Sequence, residues 1–177
     1  MLEGKRLVLR ESADDDAEAL LDYHRRNRER FAPWEPLFAD EIAAHRDWIA
    51  GQRAQRRTEG PVAFLSFDRA TNALVGIVVV AGFSTIPPSA MVNYSVDGAC
   101  EGQGYASEAV ALVVDYAFDV LGLESLMAFY DPKNLRSGAL LERLGFRFAF
   151  QNPSIPGFER LMRVQNAVVL TRVDRKA

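Results

Sequence analysis

Apolar and polar positions alternate at the start of the chain. Arg6 to Arg10, RLVLR, predicts a strand. Ser12 and Asp14 to Asp16 then supply helix-start signals with negative charge in the first turn. The spacing changes to three and four residues, and Ala17, Leu20, Leu21 and His24 share one face of a helix that runs to about Glu29. A second helix is expected from about Asp40 to Arg56, with Ile42, Trp48 and Ile49 inward, broken by Thr58-Glu59-Gly60-Pro61. Between the helices lies Phe31-Ala32-Pro33-Trp34-Glu35-Pro36-Leu37-Phe38, whose two prolines exclude continuous helix.

Strand patterning returns at Val62 to Phe67 and at Leu74 to Phe83. The turn formers Asp68 to Ala73 join these runs as a hairpin. Leu74 to Val80 is apolar on both faces and belongs in the middle of a sheet. Pro87-Pro88 ends this section, and Ala90 to Val96 is a further strand. A polar turn follows, and Gly102-Gln103-Gly104-Tyr105-Ala106 opens an amphipathic helix to about Val120, with Ala109, Leu112, Val113, Tyr116 and Ala117 recurring on one side. Gly122 is a C-terminal stop, and Leu126 to Tyr130 is a short strand. Strand, crossover helix and returning strand make a βαβ unit, expected to be parallel. Asn134 is a good N-cap for a helix from Leu135 to Leu144, stopped by Gly145. Phe146 to Phe150 and Val164 to Val173 are the last strands, separated by a surface loop at Gln151 to Met162. The order is βααβββ, then β-turn-α-β, then αββ. The fold class is α/β (α+β): a mixed central sheet, antiparallel in its first half, with one parallel crossover and helices on both faces. With no repeat, low-complexity segment or linker, residues 1–177 are expected to form a single domain.

Composition narrows the function classes. The 177 residues are 49% hydrophobic and 25% charged, with a formal charge of −3. Without a basic surplus, a nucleic-acid partner has no support; the cluster Arg53, Arg56 and Arg57 reads as a solvated helix end. Cys100 is the only cysteine, which suits a reducing compartment and a cytoplasmic protein. No His or Lys flanks it, so it reads as a bystander rather than a nucleophile. His24 and His45 lie in separate segments without metal-ligand spacing, so no metal is expected. The first residues, MLEGKRLVLRES, lack the apolar region of a signal peptide, and no run reaches the ~20 apolar residues of a membrane span.

The chemistry concentrates at the turn after Val96. Two glycines at a strand-to-helix turn let backbone N–H groups approach a ligand, and the helix dipole adds its positive end. This suits a pyrophosphate. The turn lacks the Gly-Lys-Ser/Thr ending of a P-loop. It also lies too late in the chain, with too few glycines, for a dinucleotide fold.

The surroundings of the turn resemble the GNAT superfamily of acetyl-CoA-dependent N-acetyltransferases, and within it the ribosomal-protein N-terminal (Rim-type) branch. The likeness is carried by Leu7-Val8-Leu9-Arg10, Asn27-Arg28-Glu29 with Pro33-Trp34, Gly102-Gln103-Gly104-Tyr105-Ala106-Ser107-Glu108-Ala109, Tyr116-Ala117-Phe118, Asn134-Leu135-Arg136-Ser137 and Leu144-Gly145-Phe146. It implies that acetyl-CoA lies where two parallel strands splay apart. The backbone of Tyr94, Ser95 and Val96 would pair with the pantetheine arm, a backbone N–H near Val96 would serve the oxyanion, and the turn from Gly102 through Ser107 would hold the pyrophosphate. Asn134 and Ser137 would lie near the thioester. Two positions depart from the family pattern. Ala99 stands where a Gln or Arg usually opens the glycine motif, so positive charge is sought from Arg136 or Lys133. Leu141 stands where many members carry an acid tyrosine, and Ser137 is the candidate acid in its place. Glu35 and Asp97, and more distantly His45, are candidate bases, and a water chain is an alternative. Glu108 reads as a structural acid satisfying local backbone donors. Trp34, Glu35 and Phe38 are expected to wall the acceptor site, although the same aromatics equally suit a plug between the two helices. The acceptor is an amine, on a protein N-terminus or a small molecule, and the chain a monomer or homodimer. The rival function is an acyl-CoA-binding sensor without catalysis, which the missing tyrosine motivates.

Overall fold

The computed structural model describes residues 1–34, 37–56, 62–152 and 164–175. β1 (Leu2–Glu3) and β2 (Leu7–Glu11) lead into a 3-10 turn over Asp14–Asp16 and then helix α1 (Ala17–Phe31); α2 (Ile42–Arg56) follows. β3 (Val62–Asp68), β4 (Leu74–Thr85) and β5 (Pro88–Val96) form an antiparallel meander. α3 (Tyr105–Asp119) crosses back to β6 (Ser125–Tyr130), and α4 (Leu135–Arg143) precedes β7 (Arg147–Asn152), β8 (Gln165–Thr171) and a short α5 (Arg172–Arg175).

The eight strands make one sheet in the order β1-β2-β3-β4-β5-β6-β8-β7, and only β5 and β6 pair in parallel. The mixed sheet with one parallel crossover is the fold the sequence predicts, and the doubly apolar β4 lies well inside it. Alternation assigns the faces. Val62 and Phe64 of β3 pack toward α3, whereas Leu65 and Phe67 pack toward α1 and α2. The sheet therefore separates two apolar cores. Phe118, Val113, Leu126, Leu141 and Leu170 are buried in one, and Leu20, Tyr23, Ile49 and Ile77 in the other. Each large side chain buried in this way contributes about 1.5–3 kcal/mol.

The sequence reading misses β1 and α5. It extends the last strand to Val173, but β8 ends at Thr171. Arg172 turns away instead and donates from Nε to Leu123 O at 3.1 Å, in the turn after α3, and also to Phe118 O, satisfying a carbonyl at the end of that helix. β8 lies between β6 and β7, so both its edges are paired within this chain. The helix break at 58–61 and most of the loop expected after β7 fall outside the described residues.

Candidate active site

β5 is registered with β4 from Pro88, opposite Thr85, to Val96, opposite Gly76. Its ladder with β6 covers only Ser89, Ala90 and Met91, opposite Ser125, Leu126 and Met127. β5 then continues to Val96 and β6 to Tyr130 without registering against one another. Backbone N–H and C=O groups of both strands are left to line a wedge-shaped opening. A bulge lies beside its narrow end: Gly82 and Phe83 of β4 together oppose Ala90, and Gly82 takes φ +64°. Bulges bend and twist the strands that carry them.

At the wide end of the wedge, Asp97 begins a tight turn. Its N–H donates to Val75 O at 2.8 Å, and its carboxylate accepts from Ala99 N at 2.9 Å. Gly98 N donates to Asn27 Oδ1 of α1 at 2.8 Å, which fixes the turn to the opposite layer. Gly102 and Gly104 adopt φ of +69° and +83°, conformations costly for a residue with a Cβ. Gly104 is the N-cap of α3, and no side chain caps that helix among the described residues. The N–H groups of Tyr105, Ala106 and Ser107 therefore stand at the positive end of α3 without intrahelical acceptors. This arrangement fits a pyrophosphate.

A cation that the sequence reading missed stands beside this turn. Arg6 donates from Nη1 to Gln103 O at 2.6 Å and from Nε to Glu108 Oε2 at 3.0 Å. Its guanidinium lies 4.5 Å from the Tyr105 ring centroid. A Cβ at Gly104 would come within 3.2 Å of Arg6 Nη2. Glu108 Oε1 accepts from the backbone N–H groups of Arg6 at 2.7 Å and Leu7 at 3.2 Å. Glu108 is thus a structural acid, but its donors lie at the start of β2 and just before it, 101 and 102 residues away, rather than locally. Burial pushes the Glu108 carboxyl up, and the Arg6 and Leu7 donors outweigh it and hold it below the usual range. Arg6 thus places a cation, paired with Glu108, beside the motif that Ala99 interrupts. Arg136, one expected source of charge, pairs with Glu101, which Arg30 also holds from Nε at 2.9 Å.

α4 forms the other wall. Asn134 caps it, with Oδ1 accepting from Ser137 N at 3.2 Å. Across the wedge, Tyr94 Oη lies 2.8 Å from Ser137 Oγ. Burial pushes the Tyr94 phenol up to about 12, against a smaller opposing effect of the Ser137 bond. Ser95 Oγ accepts from Tyr23 Oη at 2.9 Å, and Val96 O accepts from Arg30 Nη1 at 2.5 Å. Leu141 is buried in the core. A Cβ at Gly138 would fall 2.9 Å from Tyr130 Cε2, so a glycine there lets the Tyr130 ring lie against α4.

The acceptor residues divide. Trp34 is 40% exposed just past α1. Glu35 lies outside the described residues. The Phe38 ring stacks on His24 at 4.6 Å and meets His45 at 4.7 Å. Half-buried, it sits between α1 and α2, as the plug that the sequence also allows. His45 is buried. Its Nδ1–H donates to Glu41 O at 2.8 Å, leaving Nε2 to accept from His24 Nδ1 at 3.0 Å. Both of its ring nitrogens are thereby engaged between α1 and α2. Asp97 accepts from Arg26 Nε at 2.5 Å; burial raises its carboxyl, but Arg26 and the Ala99 N–H outweigh this and hold it below the usual range, a poor position for a base. Burial, then Asp97 and Asp68, pushes the Cys100 thiol up, so it stays neutral. No cluster that would hold a metal occurs among the described residues, and no helix there is long and apolar enough to cross a membrane.

A parallel pair that opens beside a glycine turn and an uncapped helix start defines an acyl-CoA type of site. The acetyltransferase (GNAT) domain family matches residues 6–147. A ribosomal protein uS5-alanine N-acetyltransferase from Escherichia coli (strain K12) is 32% identical over 148 residues, 80% of this chain and 75% of that one. A ribosomal-protein-S5-alanine acetyltransferase from Vibrio fischeri superposes with TM-score 0.87 at 22% identity, over 99% of this chain and 98% of the other. RimJ of Mycobacterium smegmatis, in complex with CoA-disulfide, does so with TM-score 0.84 at 22% identity, over 95% and 83%. The chain belongs to the GNAT acetyltransferase family. It is an acetyl-CoA-dependent N-acetyltransferase.

Proposed function

We propose that this chain acetylates the α-amine of a polypeptide by direct attack within a ternary complex. The observation that carries the reading is the wedge between β5 and β6, with the uncapped start of α3 at one end and the Tyr94–Ser137 hydroxyl pair across it. Acetyl-CoA supplies an activated acyl carbon and a thiolate leaving group. The N–H groups at Tyr105, Ala106 and Ser107 hold its phosphates, and the free edge of β5 from Asn93 to Val96 aligns its arm. Orientation within the wedge replaces the entropy cost of a bimolecular encounter. A β5 N–H donates to the oxyanion, and Ser137, fixed by Asn134, protonates the sulfur. Trp34 borders the acceptor entrance, and Glu35 is the candidate that draws in the amine. A protein acceptor is favoured by the alanine N-acetyltransferase likeness. We place the reaction in the cytoplasm, on one catalytic domain spanning 1–177, with no nucleic-acid partner. The hydroxyl pair weighs against a non-catalytic sensor, because it puts a proton source where Leu141 offers none.

Thiol release from acetyl-CoA tests the reading, measured against peptides with N-terminal alanine or serine, a polyamine and an aminoglycoside. Peptide turnover is expected to exceed the others. Turnover of the small amines alone removes the peptide assignment, and CoA binding without turnover across the panel restores the sensor.

A further inference from the structure

We infer that Tyr94 is a positioning residue that acts through Ser137, aiming the serine proton at the departing sulfur. The inference rests on the acetyl-transfer reading above and adds a residue to it. Tyr94 belongs to β5 beyond Met91, where the ladder with β6 has ended, and Ser137 belongs to the first turn of α4. The two hydroxyls meet at 2.8 Å, whereas the phenol lies 3.4 Å from Ser137 O. The Ser137 backbone is fixed independently through Asn134 Oδ1, at 3.2 Å from its N–H. A serine hydroxyl otherwise turns among staggered positions. When the phenol donates to Oγ, the serine O–H is left for the wedge; in the reverse arrangement that proton is spent on the phenol.

The proton movements balance. The amine nitrogen bonds to the acyl carbon, the C–S bond breaks, and sulfur keeps its electron pair. The serine proton moves to sulfur, and the phenol proton moves to Ser137 Oγ. Water returns a proton to the phenolate, and the amide nitrogen loses its surplus proton to water. The phenol is a strong base once ionised, so it regains its proton readily.

Tyr94→Phe keeps the ring and removes the donor. We expect kcat to fall about tenfold, with CoA affinity by calorimetry changed less than about twofold. Ser137→Ala should cost kcat about a hundredfold, and the double variant should be no worse than Ser137→Ala alone. Ser137→Thr, which retains a hydroxyl, should remain sensitive to Tyr94→Phe. A readout independent of turnover is the 13C resonance of the Tyr94 ring carbon bearing the hydroxyl, assigned by its loss in Tyr94→Phe. It should move in Ser137→Ala, with and without CoA. Multiplying kinetic effects in the double variant, or an unmoved resonance, overturns the coupling. A wild-type protein that acetylates no amine while the resonance still moves overturns the acetyl-transfer reading and the catalytic role, and leaves the hydroxyl pair as structure.

Discussion

Arg6 ties the beginning of the chain to the glycine turn before α3. Its guanidinium contacts Gln103 O, Glu108 and the Tyr105 ring at once. Glu108 keeps it there and also accepts the backbone N–H groups of Arg6 and Leu7. Glu108→Ala therefore removes a charged acceptor from partly buried donors, at a cost of about 2 kcal/mol. For a chain of this length that corresponds to a fall in Tm of about 4–8 °C. CoA affinity should fall with it, because Arg6 loses its fixed place beside Gly104. Calorimetric melting and CoA titration check the two effects, and unchanged CoA affinity in a destabilised variant would confine Glu108 to the fold. The sequence shows Arg6 only as the polar start of an alternating strand. Its role depends on a contact 97 residues away, which no local pattern encodes. Gly102 and Gly104 were legible, because a backbone requirement is written at the position itself.

The gap between α1 and α2 shows what periodicity leaves open. The spacing puts His24 on an inner helical face, but whether Phe38 plugs that gap or faces a substrate depends on how the helices dock. Docked, they enclose Phe38 between two histidines. Burial, with the neighbouring His45, pushes His24 down to about 4. An unfolded histidine titrates near 6.5. Between about pH 6.5 and pH 4 the unfolded chain consequently binds more protons than the folded one, and stability falls as pH falls through that window. Discounted for the solvent that still screens the half-exposed ring, the loss amounts to at most about 3 kcal/mol and levels off below the folded pKa. His24→Gln should flatten this part of the urea-unfolding profile between pH 7 and pH 4. Wild type and variant falling in parallel would assign the acid sensitivity to carboxylates instead. The last strand gives a second example: its apolar pattern runs on through Val173, but Arg172 finds better use for its donors on the carbonyls behind α3.

Across the whole molecule, the sheet class, the crossover and the glycine turn are readable from pattern and spacing. The insertion of β8 between β6 and β7 is not, because strand order follows from faces that meet only in three dimensions. A ligand bound to the folded state alone should raise stability by about 2.7 kcal/mol at a hundredfold excess over Kd. CoA should thus raise Tm by about 5–10 °C, and NAD(P) should leave it unchanged. Equal shifts with both would return the turn to a general nucleotide site. The parallel ladder has a further consequence. Within the sheet, only three residue pairs join the five strands from β1 to β5 to the three strands β6, β8 and β7. Such a sparse join is where cooperative units part company in local unfolding. On the reading proposed above, a CoA arm along β5 would stand in for rungs the ladder lacks. The β5–β6 gap is thereby a sparsely bonded seam of the sheet, held together mainly by the apolar core under α3, and a ligand seated there should act as a stitch.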